Sequence, residues 1–105
     1  MIAFIDFWNF LQVNLKTGTK IRNWTALRSY LGDTMTIDLV TPSAISVQAP
    51  RAKNIQVVSM EDFELIWEIW ADYKSQKVQR QELRDKTRFS KYIISIIHWY
   101  EKVHL

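Results

Sequence analysis

The chain of 105 residues contains no cysteine, only two glycines and two prolines, and no apolar run approaching the ~18 residues of a membrane span. Each shortage removes a class of function. Without cysteine there is no disulfide framework and no thiol chemistry, and a cytoplasmic setting is the expectation. Gly18 and Gly32 alone cannot build a glycine-rich phosphate loop. His98 and His104 are six residues apart and fall on different sides of a helix, with no H-x-x-x-H or H-E-x-x-H pattern, so neither a metal site nor a cofactor is expected. Met1 runs straight into Ile2-Ala3-Phe4-Ile5 without a basic n-region, which argues against a signal peptide. No serine or threonine has a nearby histidine backed by an acid, so no catalytic residue is assigned and a non-enzymatic role is expected.

What remains is ordinary in bulk and uneven in detail. With 48% apolar and 24% charged residues, the chain has the composition of a globular protein. At this length it forms a single domain, residues 1–105, able to bury roughly two thirds of its unfolded surface without metal or disulfide. The net charge is +3, but its placement is lopsided. Residues 59–72 carry five acids and no base, whereas from Asp72 onward eight Lys/Arg face four acids. Five tryptophans are many for this length, and their rings should dominate core or interface energetics.

Hydrophobic spacing predicts an α+β fold. Phe4, Phe7, Trp8, Leu11 and Leu15 repeat at helical intervals over Phe4 to Lys16, with Gly18 placed as a left-handed cap. Asn23 can cap a second short helix from Trp24 to Leu31, closed by Gly32-Asp33. Alternation in Met35/Ile37/Leu39, in Ile45/Val47 and through Asn54–Val58 predicts a three-stranded antiparallel meander, with turns at Thr41-Pro42-Ser43 and Pro50–Lys53. Ser59 reads as the N-cap of a helix reaching about Lys74, with Phe63, Ile66, Trp67, Trp70 and Tyr73 inward and Glu61, Glu64, Glu68 and Asp72 outward. A short helix through Val78–Lys86 follows. Thr87 or Ser90 then caps a final helix to Val103, whose stripe is Phe89, Ile93, Ile96, Ile97 and Tyr100. The expectation is two N-terminal helices, a three-stranded sheet, and two or three C-terminal helices packed on one sheet face.

The feature with most bearing on function is a run of cations at three- and four-residue steps: Lys77, Arg80, Arg84, Arg88 and Lys91, continued by His98 and Lys102. On one helix, or on two nearly collinear ones, these make a single ridge. Such a ridge suits a polyanion or an acidic protein surface, with Tyr92 and Trp99 on its flank to stack on bases. The same residues also suit a solvated helix face, or pairing with the acidic stripe within the chain or across a dimer. The aromatic set Trp67, Trp70, Tyr92, Trp99 and Tyr100 offers either a core or a pocket for a flat or cationic ligand. The final helix is apolar over more than half its circumference, which points to a homodimer.

Two segments carry resemblances. Phe4-Ile5-Asp6-Phe7-Trp8-Asn9-Phe10 resembles the opening strand of NYN/PIN-like nucleases, apolar-apolar-Asp-x-x-Asn. That resemblance implies a parallel α/β sheet and a metal-dependent nuclease in which Asp6 is a metal ligand, with Asn9 beside it. The block Asp62-Phe63…Trp67…Trp70-Ala71-Asp72-Tyr73-Lys74, followed by Arg84-Asp85-Lys86-Thr87-Arg88-Phe89-Ser90-Lys91-Tyr92-Ile93-Ile94-Ser95-Ile96, is similar to uncharacterised small proteins of mobile, integron-type gene cassettes. It covers the C-terminal half and implies no shared catalytic site. Three functional expectations follow: a binding protein that holds nucleic acid through the basic ridge, an interaction or ligand-binding module using its aromatic surface, and a nuclease resting on Asp6.

Overall fold

The structure, a computed structural model, describes residues 2–51 and 53–104; Ala52, within the expected Pro50–Lys53 turn, lies outside them. The fold is α+β. In chain order the elements are α1 (Phe4–Asn14), β1 (Lys20–Thr25), β2 (Ser29–Val40), β3 (Ala44–Gln48), β4 (Gln56–Ser59), α2 (Met60–Trp67), α3 (Trp70–Lys74), α4 (Arg80–Lys86) and α5 (Ser90–His104). The strands form one antiparallel sheet in the order β1-β2-β3-β4, a meander of nearest neighbours.

The second N-terminal helix is not formed. Residues 24–31 are instead the end of β1, a tight turn and the start of β2, with Trp24 opposite Tyr30 and Thr25 opposite Ser29. The Arg28 N–H donates to Thr25 Oγ1 (3.1 Å), and Ser29 takes a left-handed φ of 59° to close the turn. The helical spacing of Trp24, Leu27 and Leu31 is coincidental: Leu27 and Leu31 are exposed, while the true buried alternation is Ile21 and Asn23. Asn23 is no cap. Its amide donates to Asp33 Oδ1 (2.9 Å) across a bulge between Arg22 and Trp24, where Gly32 supplies a φ of 97°. The sheet therefore has four strands rather than three.

Elsewhere the differences are smaller. Gly18 does have positive φ (92°), but it serves the Lys16–Thr19 turn after an extended Leu15 and not a helix cap. The helix expected from Ser59 to about Lys74 begins as expected, with Ser59 Oγ accepting from the Asp62 N–H (3.2 Å). It breaks at Ile69 (φ −113°, ψ 11°), so that the consecutive stretches α2 and α3 each bury their tryptophan, Trp67 and Trp70. Residues 4–10 are helical and the sheet is antiparallel throughout, so the parallel α/β arrangement implied by the nuclease resemblance is absent.

One core holds the fold. Ile21, Met35, Ile37, Ile45, Val47 and Val58 from the sheet join Phe7, Trp8 and Leu11 of α1, Phe63, Ile66 and Trp67 of α2, and Ile93, Ile94, Ile96 and Ile97 of α5. Phe7 stacks on Trp67 (4.4 Å between centroids) and meets Tyr100 edge-on (5.0 Å). The wide apolar surface of α5, which the sequence assigned to a dimer, is thus consumed within the chain. Among the described residues no helix is long and apolar enough to cross a membrane.

Two hydroxyls tie the β1–β2 hairpin to the helices. Ser95 Oγ, buried in the middle of α5, accepts the Trp24 N–H (3.0 Å) beside the bulge, and the Tyr73 hydroxyl accepts the Ala26 N–H (3.1 Å) at the hairpin tip. Ser95→Ala leaves the Trp24 N–H without its acceptor and should cost about 1–2 kcal/mol. The expected readout is a lower urea midpoint at constant slope; an unchanged midpoint would show that the bond contributes nothing.

Candidate functional site

The hairpin tip stands off from the helices and leaves a cleft of about 520 Å³. Asn23, Thr25, Ala26, Leu27, Arg28 and Leu31 form its hairpin wall. Opposite are Tyr73, the α3–α4 connection at Gln76, Val78 and Gln79, then Arg80 and Arg84 of α4, with Lys91 of α5. Four cations from three parts of the fold, Arg28, Arg80, Arg84 and Lys91, line this space, and among the described residues no carboxylate does.

Local structure explains the placement. After α3 the chain turns through Gln76 in a left-handed conformation (φ 64°), with the Gln76 N–H bonded to the Tyr73 carbonyl (3.0 Å) and the Lys77 N–H to that of Asp72 (2.9 Å). This is a Schellman termination with glutamine where glycine is usual. The turn redirects the chain so that α4 presents Arg80 and Arg84, one turn apart, to the cleft. Ser29 and Gln76, the two non-glycine residues with positive φ among those described, therefore lie in the hairpin turn and in the opposite wall. Backbone strain of this kind concentrates at functional sites.

The four cations differ in setting. Arg80 is half-buried, and its one side-chain hydrogen bond, from Nη1 to Ser90 Oγ (2.6 Å), is with a neutral partner. Burial pushes its guanidinium below the ordinary arginine value, the Tyr73 hydroxyl opposes this, and Arg84 adds like-charge repulsion; arginine nonetheless stays cationic. Arg84 is exposed and touches Gln81 Oε1 (3.4 Å) within α4. Lys91 lies 3.9 Å from Asp33, an exposed pair of little stabilising weight. The Asn23 amide holds the Asp33 carboxyl below its usual range, against the opposing effect of burial, and Lys91 and Arg51 add to that lowering. Arg51 also joins Leu31, Gly32, Asp33 and Lys91 around an adjoining hollow, which extends the basic surface past the cleft.

The expected continuous ridge is divided. Thr87 is extended (φ −157°, ψ 139°) between α4 and α5, and its Oγ1 accepts from the Phe89 N–H (3.1 Å). Arg80, Arg84 and Lys91 come together in the cleft, whereas Lys77, Arg88, Tyr92 and Trp99 do not line it. Arg88 sits over the Phe89 ring (4.7 Å), Tyr92 is near Phe89, and Trp99 packs toward Phe10 of α1. Arg28 is the lining cation that helical periodicity did not bring into the set, since it reaches the cleft only when 24–31 is a hairpin. Of the aromatic set, Trp67, Trp70 and Tyr100 line a separate, mainly apolar hollow of about 340 Å³, edged by Lys74 and Glu101 in a 2.7 Å ion pair. Trp70 Nε1 is buried without a hydrogen-bond partner among the described residues. No group of three or more His, Asp or Glu side chains that could hold a metal ion occurs among the described residues, and Asp6 is exposed on α1.

His98, expected on the ridge, instead supports the hairpin wall. Its ring stacks on Trp24 (4.1 Å, 5° between planes), and its Nε2 lies 3.0 Å from the Tyr30 hydroxyl. Burial pushes the imidazole below its ordinary value of 6.5; Glu101 opposes this, and Lys102 and Lys74 assist it. Between the depressed folded value and 6.5, the unfolded chain binds the proton more readily, so stability falls as pH drops through that window. Urea unfolding at about pH 7.5 and about pH 5.5 should show this loss, and His98→Gln should reduce it; an equal loss in the variant would remove His98 as its source. Comparison of the chain with family models, with curated proteins and with solved structures returned no match.

Proposed function

We propose that this protein is a non-enzymatic binding protein that holds single-stranded nucleic acid, without sequence preference, in the basic cleft. The observation that supports this reading is the convergence of Arg28, Arg80, Arg84 and Lys91 on one cleft that no carboxylate of the described residues lines, with only Lys91 in an ion pair, to Asp33. A stack of solvated surface charges has no reason to converge, and the acidic residues of α2 do not line this space. Cations contact successive phosphates, while the exposed Leu27 and Leu31 give bases or sugars an apolar ledge. The apolar ledge takes unstacked bases, so single strands should bind more tightly than a duplex.

Neutralising four phosphates on a single strand corresponds to a slope of about −3 in log K against log salt. Titration of labelled oligonucleotides across a salt series measures it. Arg28→Glu and Arg84→Glu should each weaken binding and flatten the slope, with folding unchanged by circular dichroism. Full affinity in both variants would remove the cleft as the binding surface.

A second reading rests on the apolar hollow, which three aromatic side chains line. A flat, uncharged aromatic ligand seated there should quench tryptophan fluorescence and raise the melting temperature. Ala71→Phe, which fills the hollow from α3, should abolish both effects, and retention of either would place the ligand elsewhere.

A further inference from the structure

We propose that the cleft contains a seat for a phosphomonoester at Arg80, so that the strand it takes is recognised by a phosphorylated end. The inference rests on the nucleic-acid reading above and narrows it. Arg80 is the half-buried member of the four cations, while Arg28, Arg84 and Lys91 are exposed. The one side-chain hydrogen bond of Arg80 uses a single N–H, leaving the rest of a planar fork of five donors unassigned, and among the described residues no carboxylate pairs with it. Its remaining donors reach solvent and hold no anion among the described residues, so they are open to an incoming one from the cleft. The short bond to Ser90 Oγ at the start of α5 fixes the orientation of the fork.

Phosphate is the ligand chemistry this arrangement suits. The guanidinium fork matches two phosphate oxygens, and Arg84, one helical turn away, is close enough to share the charge. A terminal phosphomonoester is a better partner than an internal phosphodiester on two counts. It carries about −1.5 to −2 charges at neutral pH and presents three free oxygens. It also leaves the chain on one side only, which suits a space walled by the hairpin on one side and α4 on the other. Leu27, Leu31 and Val78 then supply apolar surface to the terminal nucleoside.

The end can be a 5′- or a 3′-phosphate, and the test separates them. Oligonucleotides of one sequence, labelled at an internal base and ending in 5′-phosphate, 3′-phosphate or hydroxyls at both ends, are titrated against the full chain by fluorescence anisotropy at one salt concentration. One phosphorylated end should bind about tenfold more tightly than the hydroxyl-ended strand. Arg80→Lys, which keeps the charge and loses the fork, should bring the ratio of phosphorylated-end to hydroxyl-end affinity close to one, a ratio that cancels any loss common to both strands. Ser90→Ala, which frees the fork, should reduce the preference and serves as a second variant if the first does not fold. Equal binding of all three strands by the unaltered protein would overturn the phosphate seat and leave the wider reading standing. No binding of any strand at low salt would overturn both.

Discussion

A helix that is apolar on most of its circumference has to be enclosed, and enclosing α5 organises this molecule. Ile93, Ile94, Ile96 and Ile97 are all fully buried, which places chain on several sides of one helix. The sheet covers one side, α1 and α2 the aromatic side around Tyr100, and α4 closes near the helix start. A 105-residue chain has little core to spare, so this single helix takes a large share of the available apolar partners. The remaining elements are short because their task is to cover α5 rather than one another.

The same enclosure makes the cleft. β1 lies along α5 and is held by a backbone-to-hydroxyl bond at Ser95, but the hairpin continues beyond that contact. Its tip is tied by Tyr73, with His98 holding the Trp24–Tyr30 pair behind it, and the chain between α3 and α4 bends sharply at Gln76 before α4 returns toward the start of α5. The gap between tip and bend is therefore a by-product of how the core closes. Its basic lining is not: aliphatic or neutral side chains at Arg28, Arg80 and Arg84 would satisfy the same backbone. Charge at those positions is an added property, and the Arg80 fork, held at Ser90 and otherwise open, is the part of it best placed to meet an anion.

Elements governed by local chemistry were legible in the sequence. The α1 stripe, the Ser59 cap and the inward face of α5 follow from spacing and hydrogen-bonding type within one or two turns. The hairpin at 20–40 was not, because a competing helical spacing at Trp24, Leu27 and Leu31 outweighed the Ile21/Asn23 alternation. The decisive partners of β1 are Thr34, Met35 and Thr36, more than ten residues along the chain, and strand preference depends on such partners. The site divides in the same way. Arg80, Arg84 and Lys91 stood out as clustered cations, but the extended Thr87 that breaks their line has no signature in Gly or Pro. Arg28 could join them only after the hairpin was known.

Every strand pairs with its neighbour in sequence, whereas the bond from Trp24 to Ser95 spans 71 positions. During synthesis the meander can therefore assemble from material already outside the ribosome, but α5 arrives after it. Until residues 90–104 emerge, the sheet's apolar face, with Ile21, Met35, Ile37, Ile45 and Val47, has no cover from that helix. The nascent chain thus passes through an interval in which its most adhesive surface is complete and its lid is not.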